Sequence, residues 1–526
     1  MLTKMNRLMF TEPACSLRRK IGLALLFLLS PAFAAETVKP KSVDEIIPIV
    51  QSHCGACHNV PAPSLLPKKS WPMVVNSMAE LAEQRLGREF ISEEHIRDIA
   101  AYYYGSSPQA LSRLPYTENT NSPLAFNFKD LSQKSVMPLI SNVKAADLDG
   151  DGKVEFILSD CETNRVSLLE QKGGKWKERV LLDVLVPANA EVVDYDGDGD
   201  LDIIVAALGR FFPPADLKAG KIILLKQTKK GQFEKHILLE NVPRALDVRA
   251  ADLDGDNDLD LAVSIFGSDQ VGQTGWLENV GEGKPIFHVL MNMGGGLNIV
   301  PGDINGDGIV DLVTMISQEF EMIVGMINDG KGNFSKFNLF RAPDPIIGST
   351  GLSMADMDKD GDLDILFTNG DAHDLHLSPK PYHGVQWLEN KGDLQFEFHN
   401  LGRFYGAATA KAGDMDGDGD MDVVAGSWNN YWDDSKRATL IWFENDGKQQ
   451  FIRHNIIGKP ESIVSIDLVD LNGNKQLDIV AGIFKIDQLK ASVEIAAGER
   501  KQDEVDFDFQ SPKSRLIVLE NKKAKK

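Results

Sequence analysis

The chain has 526 residues, 43% of them hydrophobic, and a formal net charge of −21. That length supplies ample apolar side chain for a large core, and the acidic balance argues against a nucleic-acid partner, which calls for a basic stripe. The short basic tail at 522–526 reads as a solvated chain end.

In chain order, residues 18–34 read as a secretory signal: Arg18-Arg19-Lys20, an apolar run over 21–29, then Ala32-Phe33-Ala34 as a small-x-small cleavage site. The run is too short to span a bilayer. The expectation is a cleaved signal peptide over 1–34, a periplasmic or otherwise exported protein, and no transmembrane span after cleavage; a retained anchor is the alternative. Cys15 precedes the apolar run, so it is not placed like a lipoprotein cysteine.

Residues 35–106 contain His53-Cys54-Gly55-Ala56-Cys57-His58, a C-x-x-C-H haem-attachment motif. Two thiols, Cys54 and Cys57, suit addition to the haem vinyl groups, and His58 suits the proximal iron ligand. A redox dithiol or zinc knuckle would need a thioredoxin-like context or a second ligand pair, and the sequence offers neither. Ser42-Val43-Asp44-Glu45 is a capping box that opens a helix leading into the motif. Ser70 is expected to cap a second helix through Met78, and Ser92 a third containing Ile96, Ile99, Ala100 and Tyr103.

These features resemble class I cytochrome c, a small all-α domain around one haem c whose second axial ligand is a methionine. The resemblance implies Met78 as distal ligand, with Met73 the alternative and His95 third. A Met ligand would raise the reduction potential relative to two histidines. Residues 107–122 are polar and rich in turn-formers and read as an interdomain linker.

Seven acidic loops follow, opening at Asp147, Asp194, Asp252, Asp303, Asp356, Asp414 and Asp470, in steps of 47, 58, 51, 53, 58 and 56 residues. A period of this kind marks a repeat architecture. Each loop is expected to offer oxygen ligands at positions one, three, five and nine, with Gly or Asn at six where the chain turns. In the first three these are Asp147, Asp149, Asp151 and Glu155; Asp194, Asp196, Asp198 and Asp202; and Asp252, Asp254, Asp256 and Asp260. The fourth and fifth offer Asp303, Asn305, Asp307 and Asp311; and Asp356, Asp358, Asp360 and Asp364. The sixth and seventh offer Asp414, Asp416, Asp418 and Asp422; and Asp470, Asn472, Asn474 and Asp478.

Such a set suits a hard cation such as calcium, and its first half follows the EF-hand rule. The runs after the loops are β-type rather than amphipathic helices, so these are strand-loop-strand sites. With less ligand charge, the fourth and seventh should bind more weakly. Seven divalent cations, adding 14 positive charges, would bring the formal charge from −21 to −7.

The loops resemble the FG-GAP/VCBS repeats of integrin α-subunit propellers, whose calcium loops read D-x-D-x-D-G-x-x-D. The resemblance covers 123–526 and implies a mainly β fold, a seven-bladed β-propeller with up to seven calcium ions. Within each repeat an inner strand follows the loop. After a variable connection comes a strand such as Trp276-Leu277-Glu278-Asn279, Trp387-Leu388-Glu389-Asn390 or Trp442-Phe443-Glu444-Asn445, then a tight turn and an outer strand. The outer strand often carries F-x-x-H (Phe233/His236, Phe396/His399, Phe451/His454), a recurrence that marks the histidine as structural.

The last repeat lacks an outer strand, and residues 124–131 are expected to supply it and close the ring. Up-and-down blades would put the acidic loops on one face and the variable second turns on the other: Phe211-Phe212-Pro213-Pro214, 371–383, Trp428-Asn429-Asn430-Tyr431-Trp432 and 486–512. Binding sites tend to sit on such loops.

His373, His376 and His383 fall in one of them and, with Asp371, Asp374 and Tyr382, are weak candidates for a transition-metal or acid/base centre. Trp428, Tyr431 and Trp432 suit a sugar platform, a protein contact or simple packing. Cys161 reads as a buried thiol. The leading functional expectation is an exported electron carrier with a redox protein partner, its propeller a docking or substrate platform. Alternatives are a propeller enzyme acting on a carbohydrate or similar small molecule, by resemblance to calcium-bearing lyase and dehydratase propellers, and a calcium-dependent adhesion protein.

Overall fold

A six-residue strand without polar alternation is stable only when both its faces are covered. The strand after each acidic loop is of this kind, with sequences such as DIIVAA, DLAVSI and DLVTMI, and every residue in all seven is buried. The computed structural model describes residues 41–116, 122–211, 217–267, 271–281, 283–318, 320–371, 379–432, 434–459, 462–486, 488 and 511–522. The signal at 1–34, Cys15, His373, Asp374, His376, residues 212–214, the tail beyond Lys522 and most of 486–512 lie outside the described residues.

Among the described residues twenty-eight strands form seven four-stranded antiparallel sheets arranged as blades. Strand β1 (Ala125–Asp130) comes first in the chain but belongs to the last blade. Blade 1 holds β2 (Ile140–Ala146), β3 (Glu155–Asp160), β4 (Arg165–Lys172) and β5 (Lys175–Asp183). Blade 2 holds β6 (Pro187–Val193), β7 (Asp202–Ala207), β8 (Gly220–Lys229) and β9 (Gln232–Val242). Blade 3 holds β10 (Ala245–Ala251), β11 (Asp260–Ile265), β12 (Gln273–Glu278) and β13 (Ile286–Asn292). Blade 4 holds β14 (Gly296–Gly302), β15 (Asp311–Ile316), β16 (Met322–Asn328) and β17 (Phe334–Arg341).

Blade 5 holds β18 (Ser349–Ala355), β19 (Asp364–Asn369), β20 (Gly384–Asn390) and β21 (Phe396–Arg403). Blade 6 holds β22 (Ala407–Gly413), β23 (Asp422–Ser427), β24 (Leu440–Asn445) and β25 (Phe451–Ile457). Blade 7 joins β26 (Ile463–Val469), β27 (Asp478–Ile483) and β28 (Leu516–Lys522) to β1.

The closure at 124–131 forms as expected. Ala125 faces Lys522 and Asp130 faces Ile517 across an antiparallel ladder, and Leu124 is buried with Met415, Ile479 and Leu519. The first strands pack on one another around the ring and line the channel. The innermost strand is thus the one before each acidic loop, and the strand after it is the buried second strand. Each first strand carries a β-bulge near its start, as between Ala245 and Asp247 in β10.

The blades are tied together at the exit of the third strands. Asn390 donates through Nδ2 to the carbonyl of Leu363 in its own blade (3.2 Å) and of Ile304 in the preceding one (3.0 Å). Asn328 does the same with Val310 and Leu253, Asn521 with Leu477 and Met415, and Gln227 with Leu201 and Leu148. Three outer-strand histidines are structural in this geometry, whereas His236 is exposed and lies 3.6 Å from Glu234. His288, His399 and His454 stack on Trp276, Trp387 and Trp442 and lie 2.6–2.7 Å from Glu278, Glu389 and Glu444.

Among the described residues three α-helices precede the propeller: α1 (Val43–Cys54), α2 (Trp71–Leu86) and α3 (Glu93–Ser106). The Ser42 N–H donates to Glu45 Oε2 (2.8 Å), and Ser92 Oγ accepts from the His95 N–H (3.3 Å), as the capping patterns require. Ser70 occupies the N-cap of α2 as expected, but its backbone is already helical and its side chain makes no capping bond; Pro72 in the first turn favours the helix start instead.

Removing the Asn390 amide strands two carbonyls. Asn390→Ala should therefore cost about 2 kcal/mol and lower the thermal midpoint; a loss under about 0.5 kcal/mol by denaturant titration would show that the interblade bond is not stabilising.

Candidate functional site

Cys54, Cys57, His58 and Met78 line one groove. Cys54 ends α1, Cys57 and His58 follow in the turn, and Met78 sits midway along α2 facing them. Trp71, Val74, Val75, Leu81, Ile91 and Ile99 make the walls apolar. The groove encloses about 80 Å³ and continues open to solvent. Trp71 stacks on Tyr103 with ring centroids 4.0 Å apart and donates through Nε1 to the Pro63 carbonyl; Tyr103 Oη donates to the Pro61 carbonyl (2.9 Å). Those bonds pin the segment after the motif onto α3.

His58 Nδ1 lies 2.7 Å from the Asn59 carbonyl oxygen, which holds the proton on Nδ1 and leaves the Nε2 lone pair for a ligand role. Burial pushes the Cys54 thiol up to about 11. Of the two other distal candidates, Met73 is 55% exposed and lies outside the groove, and His95 is paired with His53 at 2.9 Å. Two thiols, an imidazole nitrogen and a thioether around an apolar groove fit the donor set of a covalently attached haem.

The helical domain rests on the propeller face opposite the acidic loops. Asn59, next to His58, donates to the Pro343 carbonyl (3.2 Å), and the Ala62 N–H donates to Asp344 Oδ2 (2.9 Å) in the connection between β17 and β18. Ile346 packs against the helical core, and Arg85 at the groove lies over Phe320. Burial raises the Asp344 carboxyl pKa, and the nearby His58 opposes that shift.

The linker is pinned as well. Leu114 bonds to Tyr405 and Arg437, Tyr116 Oη donates to Asp434 Oδ2 (2.8 Å), and Arg113 lies 4.1 Å over the Tyr431 ring. Tyr431 thus serves an intrachain contact, and Trp428 donates through Nε1 to the Gly370 carbonyl.

On the same face a cavity of about 360 Å³ opens into the channel. Asp371 lines it; His383 does not, being fully buried in blade 5 edge-on to Tyr382. Cys161 is a buried thiol, Sγ 3.2 Å from the Pro187 carbonyl, with its pKa pushed up to about 12 by burial.

The acidic loops join first to second strands. In the first, the Gly152 N–H donates to Asp147 Oδ2 (2.8 Å), and Gly150 and Gly152 adopt φ of 66° and 82°. Left-handed residues recur at positions four and six, and position four was not part of the sequence pattern. The seventh loop has Lys475 at position six, where Gly or Asn was expected, in the same conformation at φ 64°. In the loops opening at Asp147, Asp194, Asp252 and Asp356, oxygens of positions one, three and nine come within 4.8 Å of one another. Asp151, at position five, pairs instead with Lys153.

The ninth-position acid also has a role the spacing did not reveal. Asp364 Oδ2 accepts from the Met357 N–H (2.8 Å) and Oδ1 from the Asn390 N–H (2.7 Å), binding loop, second strand and third strand together. Asp202, Asp260, Asp311, Asp422 and Asp478 repeat the pair. Burial, reinforced by neighbouring carboxylates, lifts Glu155, Asp260, Asp364 and Asp422 to about 7 and Asp311 to about 6. Clustered, raised carboxyls are the electrostatic setting that a divalent cation relieves, and the oxygen-only donor set fits a hard one.

The sequence profile of the FG-GAP-like repeat matches residues 147–205, 194–263 and 303–367. The chain therefore carries FG-GAP repeats, and they build a seven-bladed β-propeller. A search of curated proteins finds no match. Similar solved structures include BBS1N in complex with ARL6DN, soaked with mercury (12% identity, 76% of this chain and 96% of that chain, TM-score 0.43). The same complex soaked with lead gives 12%, 76%, 97% and 0.44. Likeness at that level carries no functional inference.

A carboxyl whose folded pKa is raised favours folding while protonated, and that contribution is lost as pH rises from its unfolded value near 4 through about 7. Protein stripped of divalent cations should accordingly melt at a higher temperature at pH 5 than at pH 7.5. Calorimetry showing the reverse would contradict the raised carboxyls.

Proposed function

We propose that the protein is an exported c-type cytochrome that transfers electrons through one covalently bound haem, with a calcium-stabilised propeller as its docking or substrate platform. The observation that carries this reading is the convergence of Cys54, Cys57, His58 and Met78 on one apolar groove. Bound there, a haem supplies one-electron redox chemistry. The chain's own part is to present the two thiols from the end of α1, fix the His58 tautomer through Asn59, and offer the Met78 thioether from α2. The apolar walls limit water around the site.

No helix among the described residues is long and apolar enough to cross a membrane; the export reading rests on the pattern at 18–34. The Asp and Asn side chains of the seven loops would hold the calcium ions, each tightening a first-to-second-strand turn on the face away from the helices. A small-molecule role for the propeller is favoured by the 360 Å³ cavity, which opens on the face that carries the helical domain. A substrate there, or a redox protein docked on that face, would lie on the haem side of the molecule.

Expressed with a haem-attachment system, the wild-type chain should show a low-spin c-type spectrum, and the haem should stay attached to the polypeptide through denaturation. Cys54→Ala combined with Cys57→Ala should abolish covalent haem. Met78→Ala should change the reduced spectrum while Met73→Ala leaves it unchanged, and the opposite pattern would reassign the distal ligand. Chelation should lower the thermal midpoint and calcium should restore it.

A further inference from the structure

The central cavity gathers ionisable side chains in the channel. Four cations, Lys144, Arg244, Arg249 and Lys411, and two carboxylates, Asp371 and Asp467, line it, and Glu191 and Asp247 stand against Lys144 and Arg249, so the formal charges balance. Three of the cations are engaged. Arg244 donates to the carbonyls of Gly267 (2.8 Å) and Phe211 (3.1 Å). Arg249 is held by Glu191 (2.9 Å) and Asp247 (3.3 Å), and Lys144 by Glu191 (3.5 Å).

Lys411, the fifth residue of β22, has no hydrogen bond or ion pair among the described residues. Its side chain is half-buried and lines the channel; desolvation, with Arg249 and Lys144 nearby, pushes its pKa down to about 8 against the opposing Asp467 and Asp247, and it is therefore mostly charged at neutral pH. An ammonium facing a partly desolvated channel with no direct protein acceptor can make a charge-assisted hydrogen bond to an anion that reaches it.

The opposite end of the cavity is apolar. Leu208, Phe211, Phe266, Phe484 and Ile486 form its wall on the face that carries the helical domain. Phe211 stacks on Phe484 with ring centroids 5.8 Å apart. Apolar mouth and charged floor are set by the first strands, whose fifth positions include Lys144, Glu191, Arg249, Lys411 and Asp467, and by the second turns, which supply the rim. The volume, about 360 Å³, is at the lower end of small-molecule pockets.

We propose that this cavity binds a small carboxylate with an apolar body, its carboxylate accepting from Lys411 and its body against Phe211, Phe266 and Phe484. The site is independent of whether the helical domain carries haem, because every residue named belongs to the propeller.

Calorimetric titration of the full chain with 3-phenylpropionate, its neutral amide 3-phenylpropionamide, and acetate tests this. The carboxylate should bind saturably at one site per chain, and the amide and acetate at least about tenfold more weakly, one lacking the charge and the other the body. Lys411→Met should weaken 3-phenylpropionate about tenfold and Lys411→Arg should largely retain it. If Lys411→Met does not fold, the comparison of carboxylate with amide in the wild type still decides. Absence of saturable binding, equal binding of carboxylate and amide, or unchanged affinity in folded Lys411→Met overturns the proposal.

Discussion

The propeller depends on a carboxylate placed where carboxylates are usually expensive. At the first residue of each buried second strand stands an acid, such as Asp364, with almost no exposed surface, one oxygen on a loop N–H and, in six of the blades, the other on the N–H where the third strand ends. A buried charge is tolerable only when its lone pairs are used, and here the bonds that satisfy it also fix the turn and the strand register. The acids at positions one and three then have to gather around it. The repeated negative charge on one face follows from that constraint, and with it the suitability of that face for divalent cations.

Antiparallel connectivity does the rest of the sorting. The first turns, pinned by their acids, cannot vary much and occupy one face; the second turns and blade-to-blade connections are free to vary and occupy the other. That second face carries the helical domain, the pinned linker and the mouth of the channel cavity. A redox group held in the helical groove, or a small molecule in the channel, would thus lie away from the face of the acidic loops. The interblade asparagines at the third-strand exits couple neighbouring repeats, so that the ring behaves as a unit rather than as seven hairpin pairs.

Much of this was legible in the chain because it repeats. Seven acidic loops at blade-length steps announced the fold, and residues 124–131 resembled the missing outer strand closely enough to place the closure. The C-x-x-C-H motif was plain because its chemistry needs particular residues at short spacing, whereas Met78 was one of three distal candidates and only the fold brings it to the groove that Cys54, Cys57 and His58 line. What the sequence hid was long-range. The Asn of Trp-Leu-Glu-Asn was visible as a motif, but its partner lies 86 residues earlier in the preceding blade. Lys411 looked like any strand lysine, because its isolation depends on the side chains of other blades. Ser70 stands at the N-cap position the pattern indicated, but its side chain makes no capping bond, which the pattern alone does not reveal. Tyr431 seemed available as a platform until the linker was seen to place Arg113 on it.

The central claim is that this chain carries its own redox group beside the propeller. Intact-protein mass spectrometry of the chain purified after export from a host that attaches haem c tests it most directly. The account predicts a polypeptide lacking residues 1–34 whose mass exceeds that of the remaining residues by one haem, retained under denaturing conditions. A bare polypeptide with Cys54 and Cys57 free, or joined only to each other, would contradict it.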